Sequence, residues 1–273
     1  MPVGAPTAMT SIDSGPPRAG KPVLNAPPEV VAGYRTLHLE EARYPGIALQ
    51  CAPAEIAVWH QYLTLFNKTM RREHISLSAN QDDAHTSWGL RLSLASAAVA
   101  SAKLTLDATL AGYYSQAFAL IRHMLETWQQ MAYVRLNEPA ARQWFSPDGV
   151  REPHQPNQNT IARGIRRFGK SDPVVLQDLG VVETEISNLK EGAHPTVLTV
   201  MQTATADPEQ LRLGATFNPD LFRRTWRIGI VALAPLLHEI VQIVQVDEDW
   251  WNEFGEIRAE RSRLHDLAEG DNA

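Results

Sequence analysis

The sequence predicts a mainly α-helical bundle of five to seven helices with a small inserted β-hairpin, and three observations carry that expectation. Apolar residues recur at spacings of three and four through most of the chain from Pro53 to Asp247. Capping and breaking residues separate these runs, and only residues 196–217 switch to β-branched residues and strand-like alternation. With 273 residues the chain can bury a sizeable core without disulfides, and its single cysteine, Cys51, excludes an intramolecular disulfide framework. A net charge of −6, from 25 Lys and Arg against 31 Asp and Glu, excludes a surface that is cationic throughout, while leaving room for a local basic patch.

Taken in order, Met1 to Pro28 holds seven prolines and three glycines with almost no large apolar side chain. Such a segment cannot bury enough surface to offset its ordering entropy and is expected to be a disordered arm. It lacks the basic start and apolar run of a secretory signal, so a cytoplasmic location is expected. The domain proper is expected over 29–255, with a polar helical tail over 256–273.

Pro53 suits a first helical turn, and Ile56, Trp59, His60, Leu63 and Phe66 define an amphipathic helix over Pro53–Ser78. Asp82 or Asp83 can cap a segment reaching Leu110, whose stretch from Ala95 to Ala102 is rich in small residues and permits close helix packing. Gly112 breaks the pattern. Tyr113–Leu136 is apolar nearly all round and is expected to be the central helix.

Prolines at 147, 153 and 156 mark an irregular connection, Thr160–Phe168 a short basic helix, and Asp172-Pro173 the start of a helix that stops at His194, before Pro195. The hairpin is expected near 196–217, with Asp207-Pro208 at its turn. A last long helix runs from Pro219 to Asp247. Its most apolar part, Ile228 to Val246, contains Pro235, His238, Glu239, Gln242 and Gln245 and falls short of a membrane span.

Three groups of residues could carry chemistry. On the central helix, Arg122, His123 and Glu126 stand in the run Leu-Ile-Arg-His-Met-Leu-Glu, with Arg122 and Glu126 one turn apart. Their order is the unfavourable one for the helix dipole, so helix propensity does not explain them. A buried ion pair there is either a structural bridge between helices or part of a site.

Downstream, Glu191 and His194 close a helix, where His194 serves equally as a C-terminal cap. Their Glu-x-x-His spacing occurs once, not twice as di-iron sites require. His123 with Glu126 reverses the order, and His238-Glu239 lacks the second His of a zincin helix, so no metal or cofactor is expected.

Arg163, Arg166, Arg167 and Lys170 form a cationic stripe that suits either solvent or phosphates, and Arg223, Arg224 and Arg227 extend it if the two segments adjoin. Trp250, Trp251 and Phe254, set among acids, either dock a partner or cover the end of the bundle. Cys51, after a Pro45-Gly46 loop and without a recognisable His partner, reads as a buried or incidental thiol.

A helix bearing Gly112-Tyr-Tyr, Ala117 and Leu120-Ile-Arg122-His-Met-Leu-Glu126, followed by one closing in Glu191-Gly-Ala-His194-Pro195, resembles the DUF5677 group of bacterial and phage-borne helical proteins. That group is itself similar to the HEPN superfamily of helical, often dimeric proteins, many of them metal-independent ribonucleases in toxin and defence systems. The likeness spans Ala95 to Val246 and implies that Arg122, Glu126 and His194 converge. HEPN nucleases carry an Arg before the His with four to six residues between them, whereas Ser187, Asn188 and Leu189 stand at those positions here. Arg258 and His265 match that spacing formally, in the polar tail. With Arg122 supplying the cation from another helix, it would stabilise a phosphorane-like charge while His194 moved a ribose hydroxyl proton.

Two functions follow as expectations. The first is a cytoplasmic interaction protein that forms a homodimer or docks a protein partner. The second is a HEPN-like protein that cleaves or binds RNA within a toxin or defence module.

Overall fold

End signals and apolar faces account for the helices one by one. The computed structural model describes residues 39, 42–77, 87–144, 156–193, 217–244 and 246–270. Among them are nine helices and no strand: α1 Tyr44–Cys51, α2 Pro53–Leu77, α3 Ser87–Leu110, α4 Tyr114–Leu136, α5 Glu138–Trp144, α6 Gln158–Phe168, α7 Pro173–Ala193, α8 Pro219–Val241 and α9 Glu248–Gly270.

The mainly α expectation agrees with this, but the count of five to seven does not. Two short helices, α1 and α5, account for the difference: the sequence reads as a loop at Pro45-Gly46 and carries no helix expectation over 138–144. Pro45 sits in the first turn of α1, where its missing N–H is no loss, so the Pro45-Gly46 pair opens a helix. Asn137 ends α4, and Glu138 starts α5 at once. The arm over 1–28 lies outside the described residues. So does the hairpin expected near 196–217, apart from Phe217, which is in no strand.

α4 is the hub, packing against α3, α5, α6, α7 and α8. Its buried set includes Ala117, Phe118, Ile121, Met124, Leu125, Trp128 and Met131, an apolar surface covering more than one face. Ala95, Ala98 and Ala102 of α3 are fully buried, and these small side chains allow α3 and α4 to approach closely. The buried hydroxyls of Thr105 and Thr109 donate to the carbonyls of Ser101 and Thr105, which satisfies them within α3. Gly112, at a left-handed φ of 80°, lets the Tyr113 N–H reach back to Ala108 O and finish α3.

α8 is the second core helix. Asn218 caps it by accepting from the amides of Asp220 and Leu221, and Pro219 fills its first turn. Gly229 faces Trp59 of α2, and any Cβ at this position would fall on the indole ring. The helix ends at Val241 instead of Asp247, because the chain tightens into a turn in which Ile243 and Val244 both donate to Ile240 O. Trp88 Nε1 takes the Ile243 carbonyl that the turn leaves free.

Asp247 then caps α9 through the Trp250 amide. α9 runs unbroken through the boundary expected at residue 256 and packs on α2. No helix among the described residues is long and apolar enough to cross a membrane.

Candidate functional site

The Arg122–Glu126 pair forms, with Arg122 Nε donating to Glu126 Oε1 at 2.8 Å, but it lies on the flank of α4 and not in the interior. The side chains remain 32% and 24% exposed, while Ile121, Met124 and Leu125 between them take the core positions. A half-buried pair on a helix flank contributes about 0.2 to 0.5 kcal/mol, so the charge at this position is less interior than expected. His194, the third member of the expected cluster, lies outside the described residues.

The α6 stripe divides. Arg163, Arg166 and Arg167 are exposed on the face opposite buried Ile161 and Ile165, whereas Lys170 stands in the turn beyond the helix. Arg166 is paired with Glu183 of α7, and Arg167 lies over the Phe168 ring at 5.4 Å.

Nor do the three aromatics of α9 share one role. Trp250 is buried with its Nε1 donating to Thr69 Oγ1 at 2.8 Å, and Phe254 is buried against it with ring centroids 5.3 Å apart. They close the α2–α9 interface. Trp251 alone, 47% exposed, keeps an outward surface. Cys51, at the end of α1, is exposed.

The charges that are interior belong to other residues. Glu239 of α8, 1% exposed, accepts from Arg91 Nη2 of α3 at 3.1 Å and from Arg135 Nε of α4 at 2.8 Å. Arg135 in turn donates through both terminal nitrogens to Asp172 Oδ2 at 3.2 Å, and Asp172 Oδ1 caps α7 through the Val175 amide. One residue before Glu239, His238 Nδ1 lies 3.0 Å from Asp178 Oδ2 of α7. Six ionisable groups thus tie α3, α4, α7 and α8 together at one end of α8.

Burial pushes the Glu239 carboxyl up against the pull of Arg135 and Arg91. Burial would also raise Asp172, but the Val175 amide and Arg135 hold it below the usual carboxylate range. The Asp178 hydrogen bond raises His238 above its ordinary value, outweighing burial. Sequence reasoning weighed His238-Glu239 only as a metal-binding fragment. The usable signal was different: lone charges such as Arg91 and Glu239 inside apolar faces need opposite partners from other helices.

A second cationic group lines a cleft of about 700 Å³ between α7, α8 and α9. Arg224 and Arg227 come from α8, Arg261 from α9, and Glu185, Ser187 and Asn188 from α7, with Trp226, Ile228, Ile230 and Val231 as the apolar part. No carboxylate pairs with any of the three arginines among the described residues. Arg224 rests over the Phe118 ring of α4 at 5.6 Å. Arg261 lies beside the Tyr62 hydroxyl, opposing the rise that burial causes there, without reaching hydrogen-bond geometry. The indole of Trp226 is fixed by donation from Nε1 to Glu55 O at 2.7 Å.

Sequence analysis singled out Arg224 and Arg227 but not Arg261, since the tail read as a solvated segment. No group of three or more His, Cys, Asp or Glu that could hold a metal ion occurs among the described residues. No protein-family model, curated protein or solved structure matches this chain.

Proposed function

We propose that the chain is a cytoplasmic interaction protein that receives an anionic partner in the α7–α8–α9 cleft, phosphate groups being the anions its arginines suit best. One observation carries this reading: Arg224, Arg227 and Arg261 converge on one cleft that holds a single carboxylate, Glu185, and among the described residues none of the three is paired with a carboxylate, on a chain whose net charge is −6. Guanidinium forks match phosphate oxygens two at a time, and cations held together without anions repel until a ligand neutralises them.

The test is to titrate the full chain with labelled single-stranded RNA and with a labelled acidic peptide at rising salt. At least one should bind, weaken with salt and lose roughly tenfold or more in affinity in the R224E/R227E variant. Binding that is indifferent to this charge reversal refutes the reading.

A second reading, a HEPN-like RNA-cleaving or RNA-binding protein of a toxin or defence module, has its own support. Asn188, which lines the cleft, stands six residues before His194 in the chain, and Phe118 beneath Arg224 is one turn from Arg122. Incubation with total RNA in EDTA tests it. Metal-independent cleavage that disappears in His194→Ala supports it, and intact RNA removes the cleavage.

A further inference from the structure

Resting on the reading that the α7–α8–α9 cleft holds phosphate-bearing partners, we propose that its ligand is a nucleoside polyphosphate. The phosphoryl groups are held by Arg224, Arg227 and Arg261, and the base lies against the apolar wall.

Charge is the first argument. Three guanidiniums face one carboxylate, Glu185, a formal surplus of two positive charges. Three other surface arginines are matched by carboxylates, Arg166 by Glu183, Arg223 by Asp220 and Arg263 by Glu260, whereas Arg163 and Arg167 stand apart on the solvent face of α6 and share no cleft. Among the described residues the surplus in the cleft has no paired counterpart. A single phosphate group carries roughly two charges at one centre, whereas a di- or triphosphate spreads its charge over adjacent phosphoryl groups that three guanidiniums on two helices can engage together.

Preorganisation is the second. Arg224 and Arg227 are three residues apart on α8 and so share a face, and Arg224 is already laid across Phe118. Arg261 arrives from a different helix, so the three donors approach from two elements. A guanidinium positioned before binding loses less side-chain entropy when the anion arrives.

The third argument is shape and chemistry beyond charge. About 700 Å³ falls within the roughly 300 to 1,000 Å³ typical of small-ligand sites. Partly exposed Val231 and the cleft-facing edges of the otherwise buried Trp226 and Ile230 give one side of the cleft an apolar lining, with the indole pinned by its bond to Glu55 O. Ser187 and Asn188 are exposed on α7, where they offer the donor and acceptor groups that sugar hydroxyls and base edges require.

Two other clefts among the described residues lack this combination. Glu253, Glu256 and Glu260 line the α2–α9 cleft and repel phosphate, while Lys103 in the α2–α3 groove is balanced by Asp107.

Phosphates beside a base reach such a cleft either from a free nucleotide or from an RNA strand. The deciding experiment is calorimetric titration of the full chain, in EDTA, with ATP, with inorganic pyrophosphate and with a ten-nucleotide oligouridylate. The wild-type chain is compared with R227A and R261A, whose folding is verified by circular dichroism. Both side chains stand at the cleft surface on different helices, so a folding defect in one leaves the other informative. The expected result is ATP binding that weakens roughly tenfold or more in each variant, with pyrophosphate competing but binding less tightly because it lacks the base.

ATP binding unchanged in both variants overturns the site. Oligouridylate binding that depends on the arginines, with no ATP binding, overturns the nucleotide class but leaves the cleft as the docking place of an anionic partner. Failure of all three ligands overturns the nucleotide proposal, and the charge-reversal test with RNA and acidic peptide then decides the broader reading separately.

Discussion

Glu239 on α8 and Arg91 on α3 meet 3.1 Å apart with side chains only 1% and 8% exposed, and the same carboxylate accepts from Arg135 at 2.8 Å. One anion thus holds two cations inside the bundle, and Arg91 Nε is left without a hydrogen-bond partner. Such a cluster is no more stabilising than well-packed apolar residues, yet it is intolerant of losing a single member. Glu239→Gln should destabilise the fold by about 3 to 5 kcal/mol, because buried Arg91 and half-buried Arg135 then face a neutral amide. Urea unfolding checks this, and a loss under about 1 kcal/mol would mean that water reaches the cluster.

The His238–Asp178 pair gives stability a pH dependence of definite sign. Its folded pKa is raised by the Asp178 hydrogen bond from an ordinary value near 6.5. The stabilisation is therefore fully present below the unfolded pKa and is lost as pH rises through the higher folded value. Asp172 acts in the opposite sense and in a separate acidic range, since its lowered pKa withdraws stability only as pH falls through it. Unfolding free energy measured from pH 5.5 to 9 should decline across the histidine window, and Asp178→Asn should flatten that decline. NMR titration of the His238 ring should show its pKa falling in the same variant.

Gly229→Ala tests the α2–α8 contact. The new methyl group meets the Trp59 ring, which is fully buried and has nowhere to withdraw. Overpacking of this kind costs about 1 to 3 kcal/mol, read as a lowered thermal midpoint. An unchanged midpoint would show that the two helices do not approach so closely.

Trp250 and Trp251 are neighbours in sequence with opposite consequences. Trp250→Ala removes a buried indole and its bond to Thr69 and should cost about 3 to 5 kcal/mol. Trp251→Ala removes a half-exposed ring in edge contact with Trp250 and should cost under about 1.5 kcal/mol. Comparable losses would place both rings in the core.

A double-mutant cycle on Arg122 and Glu126 should return a coupling of only about 0.2 to 0.5 kcal/mol, as for other helix-surface pairs at this spacing. A coupling above about 2 kcal/mol would restore the interior pair that the sequence predicted.

Much of the helical layout is legible along the chain because its signals are local. Pro53, Gly112, Asp172-Pro173 and Pro219 mark helix ends through backbone geometry that needs no distant partner, and the apolar faces of α2 and α4 repeat at the helical period. Where two signals compete the reading slips. Pro45 was taken for a loop residue although it begins α1, and the turn at Ile240–Val244 ends α8 inside a run whose composition would let it continue.

The sequence by itself determined that this chain is mainly helical, that α4 is central, and where most helices start. Which charges lie inside was decided only by the tertiary structure. Arg122–Glu126 stands on the central helix yet lies half-buried on its flank, whereas Arg91, Arg135, Asp172 and Glu239 are separated by 37 to 148 residues along their bonded links and meet only in the folded bundle. The arginine cleft likewise joins α8 to the tail helix. Burial and charge neutralisation are properties of the surroundings, and those surroundings do not exist until the helices have packed.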